Sequence, residues 1–337
     1  MSDDILFDTA DGAGFITLNR PQALNALTLG MVRAMDAQLV KWADDAAIRA
    51  VVVKGAGGRA FCAGGDVKAV ALGGDDLKKN FFREEYILNH RIFTYPKPYI
   101  ALIDGIVMGG GKGISVHGRR RVVTENLTFS VPEAAIGFFP DVGGGHFLPR
   151  CPGQTGLYLA LTASRVGAAD AMYMGFATDF VEAKNFPALC AEKNIDAAIK
   201  NFSGSAPGVS LLAQHRAEID RCFSYGRMED IIAALEKEKT PWAADTLKAM
   251  NALSPTSLKV ALKQIRLGAG MSFSEVMTME YRLSQHFMKG HDFHEGIRAA
   301  LIDKDRKPRW NPAAISDVSD TEVAAYFQSL GKDDLVF

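Results

Sequence analysis

Apolar positions come in short runs over the first half of the chain and in helical stripes over the last third. Residues 5–7 and 15–18 are apolar runs around Asp11-Gly12-Ala13-Gly14, which predicts an opening β-hairpin. Asn25-Ala26-Leu27-Thr28 leads into Leu29–Asp44, where Met31, Met35, Leu39 and Trp42 recur at helical spacing. A β-branched strand is expected at 48–53, then a glycine-rich stretch over 55–65, with Asp66 as a helix N-cap. Residues 73–80 read as a mobile polar loop. Residues 81–93 read as a helix with Phe82, Tyr86 and Phe93 on its apolar stripe. Tyr99–Ile103, fenced by Pro96 and Pro98, suits a buried strand, and a second is expected over about 121–130. Helices at 153–163 and 168–174 and a short strand at 176–181 follow.

Beyond residue 185 glycine thins out and the helical period dominates, at 185–200, 209–222, 228–238, 242–251, 257–267 and 272–289. The pattern therefore predicts an α/β chain with a core over 1–185 that carries the functional site and an α-helical C-terminal region over 186–337. Strand, glycine turn and helix repeat in the core, without the fixed period of a solenoid.

The candidate chemistry lies in 99–150. Gly109-Gly110-Gly111 is backbone that a ligand can approach closely. A buried helix is expected to start at Ile114, Ser115 and Val116, so that its first N–H groups favour an anion or a developing oxyanion. Glu133 and Asp141 then stand within nine residues among glycines and apolar neighbours. A carboxylate in such surroundings is costly unless paired, which points to an active site. His117 and His146 read as structural. His286, His291 and His294 lack H-E-x-x-H spacing, and G-x-S-x-G and a dinucleotide G-x-G-x-x-G in its required context are absent.

Composition narrows the function classes. A formal net charge of −1 over 337 residues argues against nucleic-acid or membrane-surface partners and leaves room for a local basic patch toward a nucleotide phosphate. Cys62, Cys151, Cys190 and Cys222 are far apart, so neither a zinc site nor a disulfide framework is expected. With no apolar run of about eighteen residues and an acidic Met-Ser-Asp-Asp start, a cytoplasmic protein is expected.

The ordered set FCAGGD (61–66), MGGGKG (108–113) and PEAAIGFFPDVGGG resembles the crotonase, or enoyl-CoA hydratase/isomerase, superfamily. FREEY (82–86), SPTSLK, MEYRLSQ and KGHDFHEGIRAALIDKDRKPRW extend the likeness over nearly the whole chain. The resemblance implies a spiral of ββα units with helices after it, and backbone N–H groups of Gly65 and Gly110 as an oxyanion hole. It also implies a substrate-contacting Glu85, catalytic Glu133 and Asp141, and a stretch, NRPQALNAL, near the coenzyme A pantetheine. No metal or redox cofactor is implied, since coenzyme A is part of the substrate. Hydratases of this family carry a second glutamate where this chain has Gly113, and a glycine where it has Asp141. The resemblance therefore implies hydrolysis of an acyl-CoA thioester, of the 3-hydroxyisobutyryl or 3-hydroxypropionyl type. The rivals are hydration or isomerisation of another acyl-CoA and a non-catalytic assembly or ribosome-associated role. A homo-oligomer stays open.

Overall fold

The computed structural model describes residues 3–192 and 194–337. The chain forms two compact units that alternate along the sequence. The first comprises the residues up to Asp66, Ile87–Phe129 and Val166–Ala213; the second comprises Val67–Tyr86, Ser130–Arg165 and Gln214–Phe337.

The strands are β1 (Ile5–Ala10), β2 (Ala13–Leu18), β3 (Ala50–Gly55), β4 (Ala60–Cys62), β5 (Tyr99–Ile103), β6 (Ile106–Val107), β7 (Arg120–Val123), β8 (Thr128–Ser130), β9 (Arg165–Val166) and β10 (Asp179–Phe180). In the first unit β1 and β2 pair antiparallel around a two-residue turn, Asp11-Gly12. Both turn residues have positive φ, the geometry that matches the twist of a tight hairpin. The larger sheet has the order β1-β2-β3-β5-β7-β10, and all its other pairings are parallel. Val51, Val52, Val53 and all of β5 are buried, which is why these strands read as continuous apolar runs rather than alternating ones.

A second sheet has the order β4-β6-β8-β9. Each long strand β3, β5 and β7 is followed at once by a short one in this second sheet, so the repeating unit is strand, short strand, helical turn. The single strand expected over 121–130 is thus two, β7 and β8, in different sheets. Glu125 and Asn126 separate them. The corner is fixed by Asp104, which accepts bonds from the Thr124 hydroxyl (2.6 Å) and the Asn126 amide (3.0 Å).

The helix Leu29–Asp44 buries Met31, Met35, Leu39 and Trp42, as their spacing predicts, with Thr28 as its N-cap. The helix expected over 185–200 is two, Phe186–Ala191 and Ile195–Phe202, the second capped by Asn194. Leu189, Ile195 and Ile199 pack on Val52, Ile100, Leu102 and Val122 of the larger sheet. Each such buried side chain contributes about 1.5–3 kcal/mol.

The second unit is mostly helical: Val67–Leu72, Thr155–Thr162, Met228–Glu238, Pro241–Asn251, Pro255–Gly268, Phe273–Phe287 and His291–Ile297 are its main helices. The loop expected over 73–80 is largely helix, because Asp75–Phe93 starts early, with Asp75 and Asp76 in its first turn where the helix dipole favours acids. Phe138 sits at the centre of an aromatic cluster, 5.2 Å from Phe82, 5.6 Å from Phe287 and 5.3 Å from Phe293. All named strands end by Phe180, and the described elements after it are helices. No described helix is long and apolar enough to cross a membrane.

Candidate active site

In the first unit the two glycine segments stand side by side. Parallel pairing of β4 with β6 puts Cys62 opposite Val107, and the Met108 N–H donates to the Cys62 carbonyl (3.1 Å). A Cβ on Gly109 would lie 3.4 Å from Gly64 Cα, and one on Gly111 would run into the Cys62 carbonyl. That closeness is the reason for glycine here. Gly65 forms a parallel bridge with Leu27, whose N–H donates to the Gly64 carbonyl (2.9 Å) while the Asp66 N–H donates to the Leu27 carbonyl (2.8 Å). Asn25, fully buried, donates its amide to the carbonyls of Ala56 and Ala60, both 2.9 Å away. The NRPQALNAL segment thus braces the glycine loop from below. Asp66 precedes the helix Val67–Leu72, and its carboxylate accepts from Arg20 at 3.2 Å.

In place of the helix expected to begin at Ile114 there is a single turn, Gly110–Gly113. Glycine's poor helix propensity stops it early, and a full macrodipole is therefore not available. What remains is local: Gly110 is the first residue of the turn, so its N–H has no carbonyl one turn back to pair with. Two main-chain donors at the ends of adjacent strands suit a carbonyl oxygen that gains negative charge.

The carboxylates belong to the second unit. Glu133 opens the short 3-10 turn Glu133–Ile136 directly after Pro132 and is 4% exposed; Asp141 is 5% and Glu85 2% exposed. Adjacent glutamates on a helix usually share a solvated face, yet here Glu85 points inward while Glu84 stays half-buried. The Tyr86 hydroxyl donates to Asp141 Oδ2 at 3.0 Å. Burial, and then the charges of Asp141, Glu280 and Glu85, push the Tyr86 phenol well above its ordinary value. Tyr86 is therefore a permanent proton donor, and one Asp141 oxygen is committed to it.

Asp141 begins a tight turn in which Val142 and Gly143 both have positive φ (50° and 82°) and the Gly144 N–H donates to the Asp141 carbonyl at 2.9 Å. For a β-branched residue such as Val142 this conformation is strained, by about 1–3 kcal/mol. The loop is held from the helix Phe273–Phe287: fully buried Glu280 accepts from the N–H groups of Gly143 (2.7 Å) and Gly145 (2.8 Å). Gln264 ties the same carboxylate (3.1 Å) to the Pro140 carbonyl (2.7 Å).

A second buried acid holds the Glu133 turn. Asp292 accepts from the Ser254 hydroxyl (2.6 Å) and the Asn311 N–H (2.8 Å), and the Ser254 N–H donates to the Ala134 carbonyl (3.2 Å). A Cβ at Gly137, whose φ is +66°, would run into the Asp292 carbonyl. The helix His291–Ile297 therefore packs backbone to backbone against the turn that carries Glu133.

The sequence groups Gly65 with Gly110 and Glu133 with Asp141, and each pair lies within one unit; Glu85, expected by itself as a substrate contact, lies in the unit of the carboxylates. It missed Glu280, Gln264 and Asp292. A legible signal existed for Glu280, which occupies a core position of the stripe Phe273, Val276, Leu283 and Phe287; a carboxylate there demands partners. His146 packs edge-on to Phe273, and burial, aided by Arg150, brings it down to about 4, so it is neutral at neutral pH. His117 packs edge-on to Phe93, and His294 bonds the Met288 carbonyl. Among the described residues no group of three or more His, Cys, Asp or Glu is placed to hold a metal ion.

Comparison with known proteins gives the family. Residues 13–327 match the enoyl-CoA hydratase/isomerase family model. The mitochondrial 3-hydroxyisobutyryl-CoA hydrolase of Xenopus tropicalis is 49% identical over 98% of this chain and 90% of its own length. The human enzyme of that name is 45% identical over 100% and 91%. Among solved structures, a carnitinyl-CoA dehydratase from Mycobacterium thermoresistibile superposes with a TM-score of 0.95 at 40% identity, covering 100% of this chain and 99% of the other. An enoyl-CoA hydratase from Rhodobacter sphaeroides does so with 0.91 at 41%, covering 99% and 100%. The fold expected from the sequence, a spiral of ββα units with helices after it, is the fold these relatives share. On this match over almost its full length, the chain belongs to the enoyl-CoA hydratase/isomerase family.

Proposed function

We propose that the chain hydrolyses an acyl-CoA thioester, with 3-hydroxyisobutyryl-CoA as the first substrate and 3-hydroxypropionyl-CoA as the second. The observation that carries the reading is the pairing of a buried, tyrosine-held Asp141 with Gly113, where hydratases of the family carry their second glutamate. The names of the curated relatives support it.

In this reading the thioester oxygen is received by the Gly65 and Gly110 N–H groups, which stabilise the charge it gains as the carbonyl carbon becomes tetrahedral. Glu133 acts at that carbon in one of two ways. As a nucleophile it forms a mixed anhydride, expels the coenzyme A thiolate and is freed by water; as a general base it takes the proton from the attacking water. Either route yields the free acid and the coenzyme A thiol. Asp141, oriented by Tyr86, hydrogen-bonds the substrate hydroxyl or assists thiolate departure, and Glu85 contacts the acyl group. Coenzyme A arrives with the substrate and no separate cofactor is invoked.

The reaction fits the breakdown of valine. We propose a cytoplasmic site of action, although the curated relatives are named as mitochondrial, and subcellular fractionation decides it. Neither nucleic acid nor membrane is a proposed partner, and a homo-oligomer is compatible with the reading. The division into a core over 1–185 and a helical region over 186–337 belongs to the same proposal, supported by the end of the strands at Phe180.

Hydration of an enoyl-CoA is the second reading, favoured by the printed name of the Rhodobacter sphaeroides relative. Thiol release from 3-hydroxyisobutyryl-CoA, isobutyryl-CoA and crotonyl-CoA, measured side by side, separates the two. Rapid release from the hydroxyacyl thioester alone is expected. Loss of the crotonyl absorbance without thiol release makes the protein a hydratase, and silence on all three moves it to the non-catalytic class.

A further inference from the structure

We propose that Glu280 is a positioning residue for Asp141, acting from the helix Phe273–Phe287 through the backbone of the loop 140–145. This rests on the reading of Asp141 as catalytic.

Three features of the geometry carry it. The two Glu280 carboxylate oxygens accept separately, Oε2 from Gly143 N at 2.7 Å and Oε1 from Gly145 N at 2.8 Å, so the side chain chelates the segment directly after Asp141. Such charge-assisted bonds are short and directional, and two of them fix both position and tilt. Between Asp141 and these anchors stands Val142 at φ +50°, a conformation that a β-branched residue leaves unless its surroundings hold it. Gln264 then links Glu280 Oε1 to the Pro140 carbonyl, so the loop is gripped on both sides of Asp141. A fully buried carboxylate that served only to fill the core would be a poor choice, since an apolar side chain of similar size needs no partners. Its charge also acts on Tyr86, the donor to Asp141. Glu280 thus fixes where the Asp141 carboxylate sits, while Tyr86 fixes how it is turned.

Replacing one oxygen by an amide turns an acceptor into a donor facing a backbone N–H, releasing one end of the loop while the volume is kept. For Glu280→Gln we expect kcat on 3-hydroxyisobutyryl-CoA to fall by about 10²-fold with KM nearly constant, the scale of a misplacement of about 1 Å. The preference for the hydroxyacyl over the isobutyryl thioester should shrink as it does in Asp141→Asn. The deciding measurement is the double variant Glu280→Gln/Asp141→Asn: if Glu280 acts through Asp141, it is no slower than Asp141→Asn alone. Losses that multiply overturn the proposal, because a general loosening of the core slows whatever activity is left. Near-normal turnover of Glu280→Gln overturns it as well. Should Glu280→Gln fail to fold, Gln264→Leu, which cuts the Pro140 tie alone, must show the same lack of additivity with a smaller loss. Asp141→Asn with unchanged turnover refutes the underlying reading of Asp141, and is distinguishable from failure of the Glu280 inference.

Discussion

The glycine segments of the first unit and the carboxylates of the second are built in opposite ways. Gly64–Gly65 and Gly109–Gly111 are placed by strand pairing and by the absence of side chains: β4 lies on β6, and the Cys62 carbonyl occupies the place a Cβ on Gly111 would take. Glu133 and Asp141 are placed by other side chains more than a hundred residues away, Asp292 through Ser254 for one and Glu280 with Gln264 for the other. Main-chain donors need only a rigid sheet and room. A carboxylate that must stay charged while buried needs its support built from further polar groups, each of which has to be satisfied in turn. The two halves should therefore fail differently when mutated.

The largest effect is expected at the reacting group. Glu133→Gln keeps the 3-10 turn and should fold normally by circular dichroism, with turnover down by about 10³-fold, within the range for loss of a general base. Turnover near that of the unaltered enzyme would remove Glu133 from its assigned role.

Next comes the glycine half. Gly111→Ala drives its Cβ into the Cys62 carbonyl and the Cys62 Cβ, neither of which moves without the backbone, so the β4–β6 register must shift and the adjacent Gly110 N–H with it. We expect about 10²-fold lower kcat from the misplaced donor, while the aromatic cluster of the second unit is untouched. Full activity in a stable Gly111→Ala protein breaks the idea that close backbone approach sets the donors.

The carboxylate half should show the reverse balance, with stability lost first. Gly137→Ala adds a Cβ against the Asp292 carbonyl at a positive φ, and we expect destabilisation by about 2–4 kcal/mol, read as a lower urea midpoint at constant m. An unchanged midpoint means the helix His291–Ile297 is not clamped to the Glu133 turn as tightly as the geometry implies.

How much of this the sequence showed follows the same line. The β1–β2 hairpin, the helix Leu29–Asp44 and strand β5 are legible because local period and turn residues dictate them. Gly65, Gly110, Glu133 and Asp141 are legible as motifs among apolar residues. One strand is expected over 121–130 where two form, because nothing local says that Glu125-Asn126 turns the chain into a second sheet. The helical turn lies at Gly110–Gly113 rather than from Ile114, because apolar residues at 114–116 suit a buried turn as well as a helix.

The smallest expected effect is a pH dependence in the second unit. His146 is held at about 4, below the ordinary histidine value near 6.5, so the unfolded chain binds a proton in this interval and the folded one does not. Stability from this group is full above about 6.5 and is lost as pH falls toward 4. His146→Gln should flatten that part of a plot of Tm against pH. An unaltered slope assigns the acid sensitivity to other groups.

By itself the sequence determined the α/β class and most of its elements, through hydrophobic period and turn residues within a turn or two of chain, and it singled out Glu133 and Asp141 through the cost of an isolated carboxylate; the roles given to these two and to Gly65 and Gly110 are what the family resemblance implies. Only the tertiary structure decided that Glu280 chelates the Asp141 loop, that Asp292 anchors the Glu133 turn and that Glu85 faces inward. Partners separated by 120 to 137 residues leave no local signature, since what unites them is the need of a buried charge for hydrogen bonds, wherever in the chain these originate.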